Sequence, residues 1–491
     1  MSRFSRRAIA TAAVCVGALY PPCALAAHAP SATASPDAPA QRAWPAAGGA
    51  DKPASSLARW LATQVGAAPT VHVHRYRGAL ERLAGQAAAV ATAPFATTRA
   101  PAAEPLSLVR SYAIPADDPL AVPLANLSWT YDSAISAQAF AQTGDLAQAR
   151  QLLDQLQALQ HHDGAIEFAF NTATGQSMPL LRAGTIASVG LAAMYYRSYT
   201  CDGTYDELAY RAANWLLGEQ VSDHASPGYG LIRGGPDVSW ISTQHNLIAR
   251  ALFASLIDAI RGRLVARGAA AGAGRRTCPG GLAGASAAEA DAFARRLHQA
   301  RALLDAGVVR ELFVPAGAPS AAGVAATAYF REGVGDDTRP IDAQALGILW
   351  LLSRGDRADA LAVAAYADQT MLMSDRTIAL SADPITFNET YTSSYPFVGY
   401  RPYAEPEGPD LLWMEGTLEM RFAKARLGES TQALDASIAA WQNVSGADEG
   451  PLMADEAVAG TVFDEYHAWP AAAPAAWELL NRYAFTLLDR P

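Results

Sequence analysis

Four times along this chain an apolar helix runs into a short turn with Gly and an acid, and a second helix opens just beyond. "QAFAQTGDLAQARQLLDQLQALQHHDG" (138–164), "GILWLLSRGDRADALAVAAYADQTM" (347–371) and "MRFAKARLGESTQALDASIAAWQNV" (420–444) are the clear copies. "YYRSYTCDGTYDELAYRAANWLLGEQ" (195–220) is a looser one with a longer turn. The Gly suits the left-handed residue that ends a helix, and the acid beyond it suits the next N-terminus. Helical hairpins recurring every ~50 to 70 residues describe an array of helix pairs rather than one bundle. Strand-like alternation is scarce, confined to "GAIEFAF" and "RELFV".

In each hairpin one helix is richly apolar and the other carries a polar face. An all-α fold, the (α/α)6 toroid in which inner helices are ringed by outer ones, has this signature. A tetratricopeptide-like solenoid also repeats helix pairs, but with a shorter, more regular period of about 34 residues. Long irregular inserts such as 373–412 favour the toroid. The Gly/Ala-rich stretch 267–288 reads as a surface excursion.

Residues 1–26 read as an export signal. Arg3, Arg6 and Arg7 precede an apolar run from Ala8 to Leu19, and Ala24-Leu25-Ala26 fits a small-x-small cleavage site. The run is too short for a membrane span of about 20 residues, so no stable span is expected after removal and the protein is expected in the periplasm or outside the cell. Residues 27–104 form an Ala/Pro-rich leader with a short helix at "SSLARWLATQV", and the toroid domain is expected over 105–491. Of four cysteines, Cys15 and Cys23 leave with the signal. Export allows Cys201 and Cys278 to pair, while their spacing leaves two free thiols equally open. A formal net charge of −10 argues against nucleic acid as a partner and suits neutral or cationic ligands.

Polar and aromatic residues cluster where the richly apolar helices begin. "NLSWTYDSAISAQAF" supplies Trp129, Tyr131 and Asp132, and "SWISTQHNLIARAL" supplies Trp240, Gln244, His245 and Asn246. Asp342 and Gln344 stand in "PIDAQALGILWLL", and Trp413, Glu415 and Glu419 in "LLWMEGTLEMRF". Asp464, Glu465, His467 and Trp469 stand in "FDEYHAWPAAAPAAWELL". Each acid alone reads as a helix-start acid favoured by the macrodipole. Capping needs no Trp beside each acid, whereas carbohydrate sites need both: aromatic faces stack on sugar rings while carboxylates and amides bind hydroxyls.

Four of these stretches, "TYDSA" (130–134), "STQHN" (242–246), "DAQALG" (342–347) and "WMEGT" (413–417), resemble motifs of an exported bacterial branch of the six-hairpin glycosidase-like superfamily. The resemblance covers roughly residues 105 to 485 and implies an (α/α)6 toroid acting on glycans, usually by hydrolysis, with lyases and epimerases among the relatives. Gln244 stands where the branch has Glu: if that acid is catalytic in the relatives, this chain is impaired or relies on another carboxylate, and otherwise the position binds substrate hydroxyls, where an amide can substitute. On this reading Glu415 is the general acid, raised by its apolar neighbours Trp413 and Met414. Asp132 is the base with Asp342 in reserve, and Trp129, Tyr131, Trp240, Gln244, His245, Asn246, Gln344, Trp413 and His467 hold a carbohydrate substrate. A lyase would instead use Tyr131, His245 or His467 as base and Arg182, Arg233 or Arg401 against a uronate. A 2-epimerase would need His245 facing His467, and a glycan-binding protein of the envelope would need no catalytic pair. No cofactor fingerprint or metal site is evident.

Overall fold

A computed structural model describes residues 51–66, 105–114, 118, 120–266, 277–317, 328–376, 379–381, 390–392, 397–404, 408–445, 450–455, 466–482 and 486–489. The expected signal 1–26, most of the leader, residues 267–276 of the Gly/Ala-rich excursion, and Asp464 and Glu465 lie outside the described residues.

Among the described residues, besides a single turn at Ala121–Leu124, twelve helices carry the architecture: α1 (Asp51–Thr63), α2 (Thr130–Thr143), α3 (Leu146–Leu159), α4 (Ala183–Thr200), α5 (Asp206–Glu219), α6 (Thr243–Ile260), α7 (Ala287–Gly307), α8 (Ile341–Arg354), α9 (Arg357–Thr370), α10 (Met414–Leu427), α11 (Gln432–Ser445) and α12 (Ala472–Asn481). The even-numbered helices pack in order, α2 on α4, α4 on α6, α6 on α8, α8 on α10, α10 on α12, and α12 back on α2. That closed circuit of six inner helices is an (α/α)6 toroid, the architecture that the resemblance implies.

Burial follows position in the ring. Inner α4 is buried from Ala183 to Ser198 without a solvent face. Outer α3 buries only Ala149, Leu152, Leu153 and Leu156, a single stripe at helical spacing. Gly144, Gly355 and Gly428 end α2, α8 and α10 at φ of 86°, 82° and 78°, so the three clear hairpin turns are made by left-handed glycines. The looser hairpin turns at Cys201 (φ 58°), where a disulfide joins it to Cys278.

The sixth outer helix comes from the leader. Helix α1 packs on α12 and α2, with Leu57, Trp60 and Leu61 in the main core. Arg110 holds its end, donating to the carbonyls of Thr63 and Gln64, so the last turn's orphan acceptors are satisfied from the chain across the gap.

Short antiparallel strands sit just before the inner helices. β1 (Leu127–Trp129), β2 (Glu167–Asn171) and β3 (Ser177–Leu181) form one sheet leading into α2 and α4. "GAIEFAF" is therefore a strand. "RELFV" is mostly a π-helical turn (Val308–Leu312) running into the two-residue β4 (Phe313–Val314), which pairs with β5 (Tyr329–Phe330) ahead of α8. β6 (Leu372–Arg376) pairs with β9 (Phe397–Tyr400) ahead of α10, and β7 (Ala379–Ser381) with β8 (Thr390–Thr392). No helix among the described residues is long and apolar enough to cross a membrane.

Candidate active site

All six inner helices start around one cavity of about 300 Å³. The second residue of each lines it: Tyr131 (α2), Gly184 (α4), Gln244 (α6), Asp342 (α8), Glu415 (α10) and Ala473 (α12). The third residue also reaches it from α2, α4, α6 and α12, as Asp132, Thr185, His245 and Pro474. Trp129 and Trp413, which immediately precede α2 and α10, complete the predicted residues on the wall. Three carboxyl groups thus share one small space. Among the described residues of the wall there is no Arg or Lys.

With no cation beside them, these acids resist ionisation. Burial pushes Glu415 up to about 8, and the charges of Asp132 and Asp342 add to the rise; donors from Tyr131 and Trp477 hold part of it back. Burial raises Asp132 to about 7 against a hydrogen bond from Ser111. Asp342, also buried, stops at about 6 because its own backbone N–H and that of Ala343 donate to it. The Ala343 bond is 2.7 Å long and uses an amide that a helix N-terminus leaves free. Behind Glu415, one helical turn on, Glu419 is buried and raised well above the ordinary carboxylate range by burial and by the charges of Glu415 and Asp342. The Tyr131 hydroxyl accepts from Trp477 Nε1 at 3.0 Å and donates to Glu415.

Aromatic rings shape the opposite parts of the wall. Trp129 donates to the Tyr112 hydroxyl (2.9 Å) and leans on Phe168 with centroids 5.2 Å apart. Trp413 meets Tyr466 edge-on at 6.0 Å. His245 lies across the start of α4, where Gly184 leaves the room: a Cβ there would stand 2.3 Å from His245 Cδ2. Burial, and secondarily the Arg182 charge, lowers His245 to about 4, so the imidazole is neutral at pH 7. His245 Nδ1 and Trp413 Nε1 are buried without a protein partner, leaving both for a ligand's hydroxyls.

Four residues expected to bind substrate, Asn246, Gln344, His467 and Trp240, are not part of the cavity wall. Asn246 accepts from the Ile232 N–H (2.8 Å) and donates to the carbonyls of Ile232 (3.0 Å) and Ser242 (2.8 Å). Gln344 does the same for Phe330, accepting at 2.8 Å and donating at 2.8 Å, and donates to Pro340 at 2.9 Å. Both amides are saturated by backbone. His467 is buried in a stack on Trp469, ring centroids 3.7 Å apart and 4° from parallel. Trp240 stands outside the cavity wall, its ring 5.3 Å from His245.

Tyr112, Phe168 and Tyr403 were not among the expected site residues. They come from strands and loops with no helix start beside them, so no local pattern marks them. Glu419 did carry a signal, its four-residue spacing from Glu415, which puts both on one helix face.

The chain is thus a helical toroid whose central cavity carries several carboxylic acids between aromatic rings. No family model and no curated protein matches the sequence. Among solved structures, a glycosidase in complex with glucose aligns at 13% identity and a TM-score of 0.44, covering 84% of this chain and 98% of its own. A bacterial glucoamylase complexed with acarbose aligns at 13% identity and 0.45, covering 75% and 50%. Rex8A from Paenibacillus barcinonensis complexed with xylose aligns at 10% identity and 0.43, covering 84% and 94%.

Proposed function

We propose that this protein is a glycoside hydrolase acting on a neutral or cationic glycan, with Glu415 as general acid and Asp132 as its partner carboxylate. One observation carries the reading: carboxyl groups in a single aromatic-walled cavity whose environments push their proton affinities apart. Hydrolysis needs one protonated carboxyl to give a proton to the leaving oxygen and one ionised carboxyl on the other side of the bond. Glu415, at about 8, keeps its proton at pH 7. Asp132, at about 7, exchanges its proton near the working pH. Asp342, at about 6, stays ionised and faces the positive charge that develops on the sugar ring. Gln244, His245, Trp129 and Trp413 hold the sugar.

Lyase chemistry needs a cation against the uronate, but Arg182 pairs with Asp237, Arg233 with Glu219 and Arg401 with Asp410. An epimerase pair is not supported either, because only His245 of the two histidines lines the cavity. Export to the periplasm or beyond is part of the proposal. The Cys201–Cys278 disulfide supports it, since such bonds persist in oxidising compartments.

The test is Glu415→Gln assayed on a panel of bacterial polysaccharides, with released oligosaccharides read by mass spectrometry. Turnover by the parent protein and a loss of about 10²–10⁴-fold in the variant, with unchanged circular dichroism, are expected. Full activity in the variant overturns the assignment of Glu415. Glycan binding without products from the parent protein makes it a binding protein instead.

A further inference from the structure

Trp240 is 41% exposed, the only tryptophan so exposed among the described residues. A single exposed apolar side chain is ordinary on a protein surface. What sets this one apart is that its backbone is anchored to the rim of the ring and its indole packs against a glycine. It ends the hairpin 234–240, which is closed by the Gly234 N–H donating to the Trp240 carbonyl (2.9 Å) and pinned by the Ala183 N–H, at the start of α4, donating to Gly234 (2.9 Å). The indole lies so close to the Gly234 backbone that a Cβ there would stand 2.1 Å from Cζ3.

Polar groups flank the ring. The Arg182 guanidinium stands 5.7 Å from its centroid and is fixed by bonds to Asp237 at 2.7 and 3.4 Å and to the Leu181 carbonyl at 2.8 Å. The indole also approaches His245, a residue of the cavity wall, with ring centroids 5.3 Å apart. An exposed indole with a guanidinium over its ring, itself bonded to a carboxylate, offers a sugar apolar ring surface to stack on and a donor and acceptor for its hydroxyls. The cavity itself, about 300 Å³, lies at the small end of ligand sites, which run from about 300 to 1,000 Å³. It encloses a short piece of a glycan and leaves the rest outside.

We propose that Trp240, with Arg182 and Asp237, forms an outer sugar subsite, and that the substrate is therefore an oligo- or polysaccharide running from the cavity across this indole. The inference rests on the hydrolase reading, and it specifies the length of chain that the site recognises.

Binding without turnover separates the two readings. The Glu415→Gln protein is titrated calorimetrically with gluco-, xylo- and N-acetylglucosamine-oligosaccharides from disaccharide to hexasaccharide. Affinity is expected to rise with chain length. Adding Trp240→Ala is expected to abolish that rise, weakening the longest ligand bound by about tenfold. Gly234→Ala, which displaces the indole but keeps it, is expected to act in the same direction. Circular dichroism and melting of each variant report on folding. An identical length dependence with and without Trp240 overturns the outer subsite and leaves the hydrolase reading standing. Binding of no panel member by either protein overturns both.

Discussion

Glu415 and His245 titrate in opposite directions for one reason: burial penalises whichever form is charged, so the acid keeps its proton and the imidazole loses one. The catalytic consequence is a narrow pH profile. kcat/KM is expected to rise as Asp132 ionises near 7 and to fall as Glu415 loses its proton near 8. A rising limb near 6 instead would transfer the base role to Asp342. The stability consequence has its own sign. A carboxyl raised from 4.5 to about 8 stabilises the folded state fully below 4.5, and that contribution is lost as pH climbs through 8. Asp132 and Asp342 act alike up to about 7 and 6, whereas His245 destabilises as pH falls from 6.5 through about 4. Above pH 7 only the acids count. Melting temperature is therefore expected to drop by a few degrees between pH 6 and 9, and Glu415→Gln is expected to flatten that drop. A drop undiminished in the variant would remove Glu415 as its source.

At the scale of the helix, one spacing separates chemistry from architecture. The second residue of each inner helix faces the cavity, so the fourth, about 200° further round, faces away. Asn246 and Gln344 occupy that fourth position and hold the strand-like segments at Ile232 and Phe330. Ser133 and Thr417 occupy it in α2 and α10, accepting from the N–H groups of Val109 and Tyr400. Replacing Asn246 or Gln344 by Ala strands a buried N–H and C=O, and each change is expected to cost about 2–4 kcal/mol in denaturant unfolding. A cost near zero would mean that water takes the amide's place. The same spacing explains what could be read from the sequence. Helix pairs, left-handed glycine turns and the acids at helix starts all lie in local patterns. Asn246 and Gln344 looked like ligand groups because they share a motif with Gln244 and Asp342; counting two residues along the helix turns them away. His467 and Tyr112 depend on contacts made by distant strands and loops, and no local pattern carries that.

For the whole molecule, the outer layer of helices is complete only with α1. Without it, α12 and α2 would present to water the surfaces that Leu57, Trp60 and Leu61 now cover, and Trp60 lies against Gly450 so closely that a Cβ there would stand 2.4 Å from its ring. A chain starting at residue 105, the expected domain boundary, is expected to melt well below the full protein and to aggregate on heating, as light scattering would show. An unchanged melting curve would make α1 an ornament on the ring.

Because the six second positions stand in equivalent places on six equivalent helices, they behave like interchangeable sockets. Their occupants, from Gly184 to Glu415, differ in size and charge while the backbone that presents them stays the same. A library varied at the other five leaves Gly184 alone, because a Cβ there would meet the His245 ring, and keeps the fourth-position bonds of Ser133, Asn246, Gln344 and Thr417 that hold the frame. Moving a carboxylate one socket round, to Gln244, re-aims the chemistry without redrawing the protein.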